Sequence, residues 1–348
     1  MVTPANILAA LLALTPYLVT AFFPGRVCAW ARRLPWWLQL LCPSLLCLPY
    51  VLVASAAGVF HVGWFALYAL LPVGVACLLG PVWRGGSLTG ISHPIRNWHV
   101  MSHICGSSGI TKRGSGDPRY SQPGGWRYTA VERPTLQGCE KCRLSDRGNW
   151  REFLVLAVLG LAVDLRWFEV AWPAHLAIFN KMLLLDAGIY GFIALRDLEG
   201  TGFDLRLRLS DAATGLKELA WYTPIALALG LGLGFLHLHV AWPGLAPIAG
   251  AWLFTFFFIA VPEELFFRGW LQNLLEQRMG RYPALFLTAV LFGLSHFNKR
   301  AVFFNWRYVL LAAVAGVFYG RAWRRDRRVG ASAMTHASVD AIWSLWLR

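Results

Sequence analysis

Charge is what this chain has least of. Only 14% of its 348 residues are Asp, Glu, Lys or Arg, where a soluble domain carries about 25%. Acids are the scarcer sign, 18 against 32 basic residues, and only 5 of those 32 are lysine. With 57% hydrophobic residues and a mean hydropathy of +0.50, the composition excludes a soluble globule and indicates a polytopic membrane protein. A disulfide framework is missing too. Cys28, Cys42, Cys47 and Cys77 stand in or beside apolar stretches, where cysteine acts as a small hydrophobe. No internal repeat is visible, which counts against an inverted-repeat transporter. The first apolar stretch lacks a basic leader and a small-residue cleavage site, so it is expected to be retained and not removed as a signal peptide.

Apolar spans run approximately over 5–23, 35–57, 59–82, 152–172, 175–195, 219–239, 247–275, 283–298, 304–321 and 331–346. About 20 residues cross the hydrocarbon, so the expected fold is all-α and polytopic, with roughly eight to ten transmembrane helices. The weakest spans are 152–172 and 175–195, which Asp164, Arg166, Lys181 and Asp186 interrupt. A formal net charge of +14 invites a nucleic-acid partner. The basic residues nevertheless fall between spans, at Arg26, Arg32 and Arg33, at Arg206, Arg208 and Lys217, at Arg278 and Arg281, and from Arg321 to Arg328. That is the positive-inside distribution of cytoplasmic loops, so the expected partners are the lipid bilayer and a membrane substrate, not nucleic acid. Alternating the spans puts the N-terminus outside and leaves Lys299 and Arg300 as the one basic pair on the outer side. The 27 arginines against 5 lysines hint at a GC-rich bacterial genome, and hence a cytoplasmic (inner) membrane.

Four regions are expected: N-terminal transmembrane helices over 1–83, a basic insert over 84–150, further transmembrane helices over 151–202, and a core over 203–348. The insert holds ten Lys/Arg against four Asp/Glu and shows no periodicity, so it reads as a flexible cytoplasmic loop. Its Cys139-Glu-Lys-Cys142 pair has the spacing of a zinc knuckle, but no second knuckle completes a standard finger. Phe203-Asp-Leu-Arg-Leu-Arg-Leu209 alternates like a short strand, and Ser210 or Asp211 is the expected cap of the helix that follows.

Ionisable residues inside a membrane span are expensive and by default mark function. Val261-Pro-Glu-Glu-Leu-Phe-Phe-Arg268 places three of them within one apolar run. Glu264 and Arg268 stand at i,i+4 with the acid first, the favourable order for an ion pair. Glu263 lies about 100° round the helix, outside that pair and left over for chemistry. His296 closes the 283–298 span, and His336 and Asp340 share a helix face in the last one. Measured along the axis, Glu263 is ~24 Å and His296 ~21 Å from the ends of their helices, so the two can meet at one level. His336 follows the basic 321–328 loop so closely that it needs tilt or a short dip to join them. Unpartnered polar groups cost several kcal/mol in lipid, so these residues are expected to serve one another. The same four, Glu263, His296, His336 and Asp340, would also suit zinc, and buried Glu and His chains also serve proton relays and transporters.

Glu-Glu-x-x-x-Arg, Phe-x-x-x-His and His-x-x-x-Asp, in this order on late spans, resemble the CPBP family of CAAX-protease and bacteriocin-processing intramembrane proteases. Type II CAAX prenyl endopeptidases belong to that family. The resemblance covers roughly 203–348 and implies a metal-free, glutamate-dependent endopeptidase cleaving a membrane-proximal peptide. Carried over by motif position, it implies that Glu263 and His296 activate a water, that Glu264 and Arg268 buttress them, and that His336 and Asp340 stabilise the oxyanion. Family members often carry Asn at position 340, and an Asp there is expected to orient the His336 imidazole. A non-catalytic immunity or scaffold protein on the same fold is the remaining alternative; it would have no need of Glu263.

Overall fold

The computed structural model describes residues 3–80, 149–173, 176, 178–239, 242–299 and 303–347. The basic insert, with Cys139 and Cys142, lies outside the described residues except for its last two positions. Eleven helices and no strand occur among the described residues. They are α1 (Pro4–Phe22), α2 (Pro24–Arg33), α3 (Trp36–Ala56, with a 3₁₀ stretch at Cys42–Cys47) and α4 (Val62–Leu79). After the insert come α5 (Trp150–Asp164), α6 (Ile178–Leu195), α7 (Leu209–Gly232), α8 (Leu245–Met279), α9 (Arg281–Leu294), α10 (Trp306–Asp326) and α11 (Val329–Trp346). The fold is thus all-α and of the polytopic membrane type, as the composition requires.

Five of these helices, α1, α3, α4, α6 and α8, are long and apolar enough to cross a membrane, fewer than the eight to ten expected. The shortfall has physical causes. Helices α5 and α9 span 15 and 14 residues, ~22 Å and ~21 Å at 1.5 Å per residue, against a hydrocarbon thickness of about 30 Å. Helices α7, α10 and α11 are longer but dilute their apolar residues with acids, arginines or small polar residues. The polar interruptions in α6 are tolerated because it is the central helix. Its apolar window is 83% buried inside the protein, whereas that of α1 is 28% buried.

Local signals set several boundaries. Thr3 caps α1 by accepting from the Asn6 amide, with Pro4 at the first helical position. Asn149 opens α5 through a capping box with Glu152, and the same Glu152 pairs with Arg196 just past the end of α6. The 203–209 stretch forms no strand. Its carbonyls go instead to a guanidinium: Arg328 donates to the oxygens of Asp204 (3.3 Å) and Arg206 (2.9 Å) and pairs with Asp211 (2.7 Å) and Asp204 (3.4 Å). Helix α7 then starts at Leu209, with Arg208 at the cap position. Asp211 works from within the first turn, accepting from the Arg208 amide at 2.9 Å, so Ser210 is not the cap. The helix ends near Gly232, earlier than the expected 239, where Gly234 adopts φ +62°, the left-handed position that terminates helices.

This cluster makes a testable demand on acid stability. Burial pulls the Asp204 carboxyl upward, but the hydrogen bonds and charge of Arg206, then Arg328, hold it down at about 2. A depressed carboxylate contributes stability above its unfolded pKa of about 3.9 and loses it as pH falls. We expect Asp204→Asn to lower the melting temperature at neutral pH and to flatten the loss of stability between pH ~4 and ~2. A melting series across that range that superimposes on wild type after a constant offset would contradict this.

The core places α9 on α10, α7 on both α10 and α11, and α11 on α8. Glycine lets α9 and α10 approach closely. A Cβ at Gly316 would stand 3.0 Å from the Ala289 Cα, and one at Gly293 2.5 Å from the Val309 oxygen, which is small-residue packing of the membrane type. Helix α8 is interrupted by π-helical stretches at Phe256–Ala260 and Leu265–Gln272, leaving only Val261–Glu264 as α-helix between them. Pro262 within that interval offers no backbone N–H, and π-bulges of this kind frequently accompany functional sites.

Candidate active site

Glu264 is the hub. Its Oε1 accepts from Arg268 at 3.0 Å and from His336 Nδ1 at 2.8 Å, and its Oε2 accepts from the Ser332 hydroxyl. Glu264 and Arg268 are both fully buried. The guanidinium also donates to the Gly316 carbonyl (3.0 Å) and lies 4.6 Å over the Phe292 ring, so the close α9–α10 packing and the ion pair fix one another. The expected pair is therefore present, and it carries more partners than its helical spacing announces.

Glu263 faces elsewhere. Its side chain is 29% exposed where that of Glu264 is 0%, and that contrast separates a solvated carboxylate from a sealed one. Oε1 lies 3.9 Å from Lys299 Nζ and Oε2 3.9 Å from His336 Nε2. Oε2 has no hydrogen-bond donor among the described residues.

His336 spans the two glutamates. Nδ1 is held by Glu264, while Nε2 faces Glu263 Oε2 and, at 3.6 Å, Asp340 Oδ2. Tyr319 stacks on the ring at 4.6 Å and Phe292 meets it edge-on at 5.6 Å. The imidazole is thus oriented by Glu264 and not by Asp340, which stands beside the outward nitrogen. His336 reaches this level because α11 begins inside the protein: Val329 is 0% exposed and donates to the Gly202 carbonyl at 2.9 Å. The dip anticipated for His336 is this buried start.

His296 sits just beyond α9. Its Nδ1 is 2.8 Å from the Phe292 carbonyl, an acceptor only, so Nδ1 carries the proton and Nε2 keeps a free lone pair. The turn around it is pinned on both sides. Lys299 N donates to the His296 oxygen (3.2 Å), Asn298 Nδ2 to the Asp164 oxygen (2.9 Å) and Asn305 Nδ2 to the Lys299 oxygen (3.1 Å).

Two cavities meet at this cluster. One, of about 720 Å³, is lined by His296, His336 and Asp340 with Tyr222, Tyr308 and Trp343. The other, of about 1330 Å³, is lined by Glu263 and Lys299 with Asp164 and Lys181. Among the described residues no group of three or more His, Cys, Asp or Glu side chains is placed to hold a metal ion. The donor set offered for zinc does not converge here: His336 Nε2 approaches two carboxylates at 3.6–3.9 Å, far longer than metal–ligand spacing imposes, and His296 lines only one of the two cavities.

The structure adds residues that the motifs did not name. Ser332 had a signal, since Ser332, His336 and Asp340 follow at i,i+4,i+8 on one face. Lys299 had a weaker one, as the basic residue on the unexpected side. Tyr319 and Gly316 had none.

Comparison with known proteins bears on the same segment. Residues 245–342 match the family model described as type II CAAX prenyl endopeptidase Rce1-like. No curated protein and no solved structure matches the chain. The matched segment begins at α8, later than the residue 203 expected for the resemblance, and contains all six of the motif residues described above. Over α8 to α11 this chain therefore carries an Rce1-like type II CAAX prenyl endopeptidase domain, a protease domain of the kind its three motifs resemble.

Proposed function

We propose that the protein is an intramembrane endopeptidase that hydrolyses a membrane-proximal peptide with water activated by Glu263 and His296. The observation that carries this is the division between two adjacent glutamates, one sealed among Arg268, Ser332 and His336 and the other open beside His296. A general base must face its substrate, and only Glu263 does.

In the proposed reaction the water oxygen bonds to the scissile carbonyl carbon while its proton passes to the Glu263 carboxylate. The carbonyl π pair moves to the oxygen, giving a tetrahedral oxyanion. Collapse breaks the C–N bond, and the proton held by Glu263 goes to the departing amine. His296 Nε2, unprotonated, accepts a hydrogen bond from the attacking water and orients it. His336 donates to the oxyanion through Nε2 in its imidazolium form, since Nδ1 is committed to Glu264. Carboxylates at 2.8, 3.6 and 3.9 Å compensate that charge, and donors fixed in advance are usually a large part of catalysis. Asp340 serves as one of these compensating groups. The substrate is a membrane peptide or protein, and the site of action a bacterial cytoplasmic membrane.

The reaction as written needs no metal. Purified protein in proteoliposomes is expected to cleave a membrane-anchored peptide at one bond, seen by mass spectrometry of the products. The rate should be unchanged by EDTA or 1,10-phenanthroline, with no stoichiometric zinc in the protein. Inactivation by chelator, reversed by added zinc, would replace this mechanism with a metal-dependent one.

A further inference from the structure

The two cavities that meet at Glu263 and His296 differ in charge. Around the 720 Å³ cavity the only ionisable residues are His296, His336 and Asp340, in a wall of aromatic and aliphatic groups. The 1330 Å³ cavity is lined by Lys181, Lys299 and Arg166 against Glu263 and Asp164. Arg166 is partnered outside the cavity wall by Glu169 at 3.9 Å, and Lys299 by Glu263 at 3.9 Å. Asp164 is within electrostatic reach of both lysines. Lys181 has no carboxylate within 4.0 Å among the described residues. The remainder of the wall is Phe254, Phe258, Phe266, Trp270 and similar side chains, which strengthen any charge interaction they enclose.

We infer that Lys181 and Lys299 form a subsite that binds a carboxylate of the peptide substrate on the α6 side of the scissile bond. This rests on the protease reading above and gives the substrate a direction. A peptide lying across Glu263 and His296 has its carboxylate drawn to the lysines and repelled by Asp340 on the other side, where apolar side chains are accommodated. Residue choice fits the task. Two of only five lysines in a chain of 27 arginines stand in this cavity, and an ammonium is a compact point charge that holds a carboxylate without the bidentate grip of arginine. The simpler account is that Lys181, three residues into α6, merely reaches for the interface as membrane lysines do. That account gives the substrate's charge no influence.

The test compares three membrane peptides of one sequence: one with a free terminal carboxylate, one amidated, and one amidated with a Glu placed downstream of the cleaved bond. Turnover is measured with wild type, Lys181→Gln and Lys181→Arg, and binding of the three cleavage products is followed in parallel by fluorescence anisotropy. For wild type, KM and product Kd should be about tenfold lower for a carboxylate peptide than for the amide, as one charge-assisted contact provides. In Lys181→Gln that ratio should collapse toward one, and in Lys181→Arg it should largely survive. Preference for the free terminus identifies a terminal carboxylate as the ligand, and preference for the Glu peptide a side chain; either supports the subsite. A wild-type ratio of one overturns it whether or not a variant folds, and so does an equal ratio in wild type and Lys181→Gln. If no peptide is cleaved but carboxylate-dependent binding persists, the protease reading fails and the subsite stands.

Discussion

Glu263→Gln should abolish peptide cleavage while leaving the protein inserted and folded. The substitution is isosteric, and Glu263 makes no hydrogen bond through Oε2 and only 3.9 Å contacts to Lys299 and His336, so little packing depends on it. The chemistry loses its base entirely. General-base contributions are typically 10²–10⁴-fold, and the expected fall in kcat lies in or above that range. His296→Ala should fall nearly as far for a different reason, since the Phe292 carbonyl that fixes its tautomer would then orient nothing. Combining the two changes should add little to either, because groups acting on one water are strongly non-additive. Near wild-type turnover by purified Glu263→Gln would sink the glutamate mechanism.

Glu264→Ala should act first on stability and through it on activity. It strands the fully buried Arg268 with the Gly316 carbonyl and aromatic faces alone, and removing one partner of a buried pair costs about 3–5 kcal/mol. Arg268→Ala should cost less, because Glu264 would keep Ser332 and His336 as donors. The double variant should be milder than the sum of the singles. Only Glu264→Ala also releases His336 Nδ1, so residual activity per folded molecule should drop further in that variant than in Arg268→Ala. Thermal melts in detergent, with turnover normalised to folded protein, measure all four. Additive losses, or Arg268→Ala emerging as the more damaging change, would show that the hub is wrongly drawn.

These expectations depend unequally on what could be read along the chain. Scarce charge and long apolar runs require a polytopic helical fold, because lipid leaves the backbone few other ways to satisfy its hydrogen bonds. Helical spacing alone places Arg268 beside Glu264 and turns Glu263 away, because both relations lie within one turn of one helix. The count of crossings was less legible. Apolar composition does not distinguish a helix surrounded by lipid from one surrounded by protein, and α6, interrupted by Lys181 and Asp186, is the most deeply enclosed of the candidate spans. The alternation over 203–209 misled for a related reason, since a strand needs a neighbour and the Arg328 guanidinium took its carbonyls instead.

What the sequence determined by itself, then, is local: the helices, the ion pair at i,i+4 and the three motifs within which every candidate catalytic residue falls. Which residue serves which was decided only in three dimensions. Glu264 meets His336 and Ser332 across 72 and 68 positions of chain, Lys299 meets Glu263 across a turn pinned by Asn298 and Asn305, and neither relation has a periodicity to betray it. Such contacts exist because α9 and α10 close to glycine distance and α11 starts buried. Close packing of that kind is a property of matched surfaces on different helices, and no spacing within a single helix encodes it.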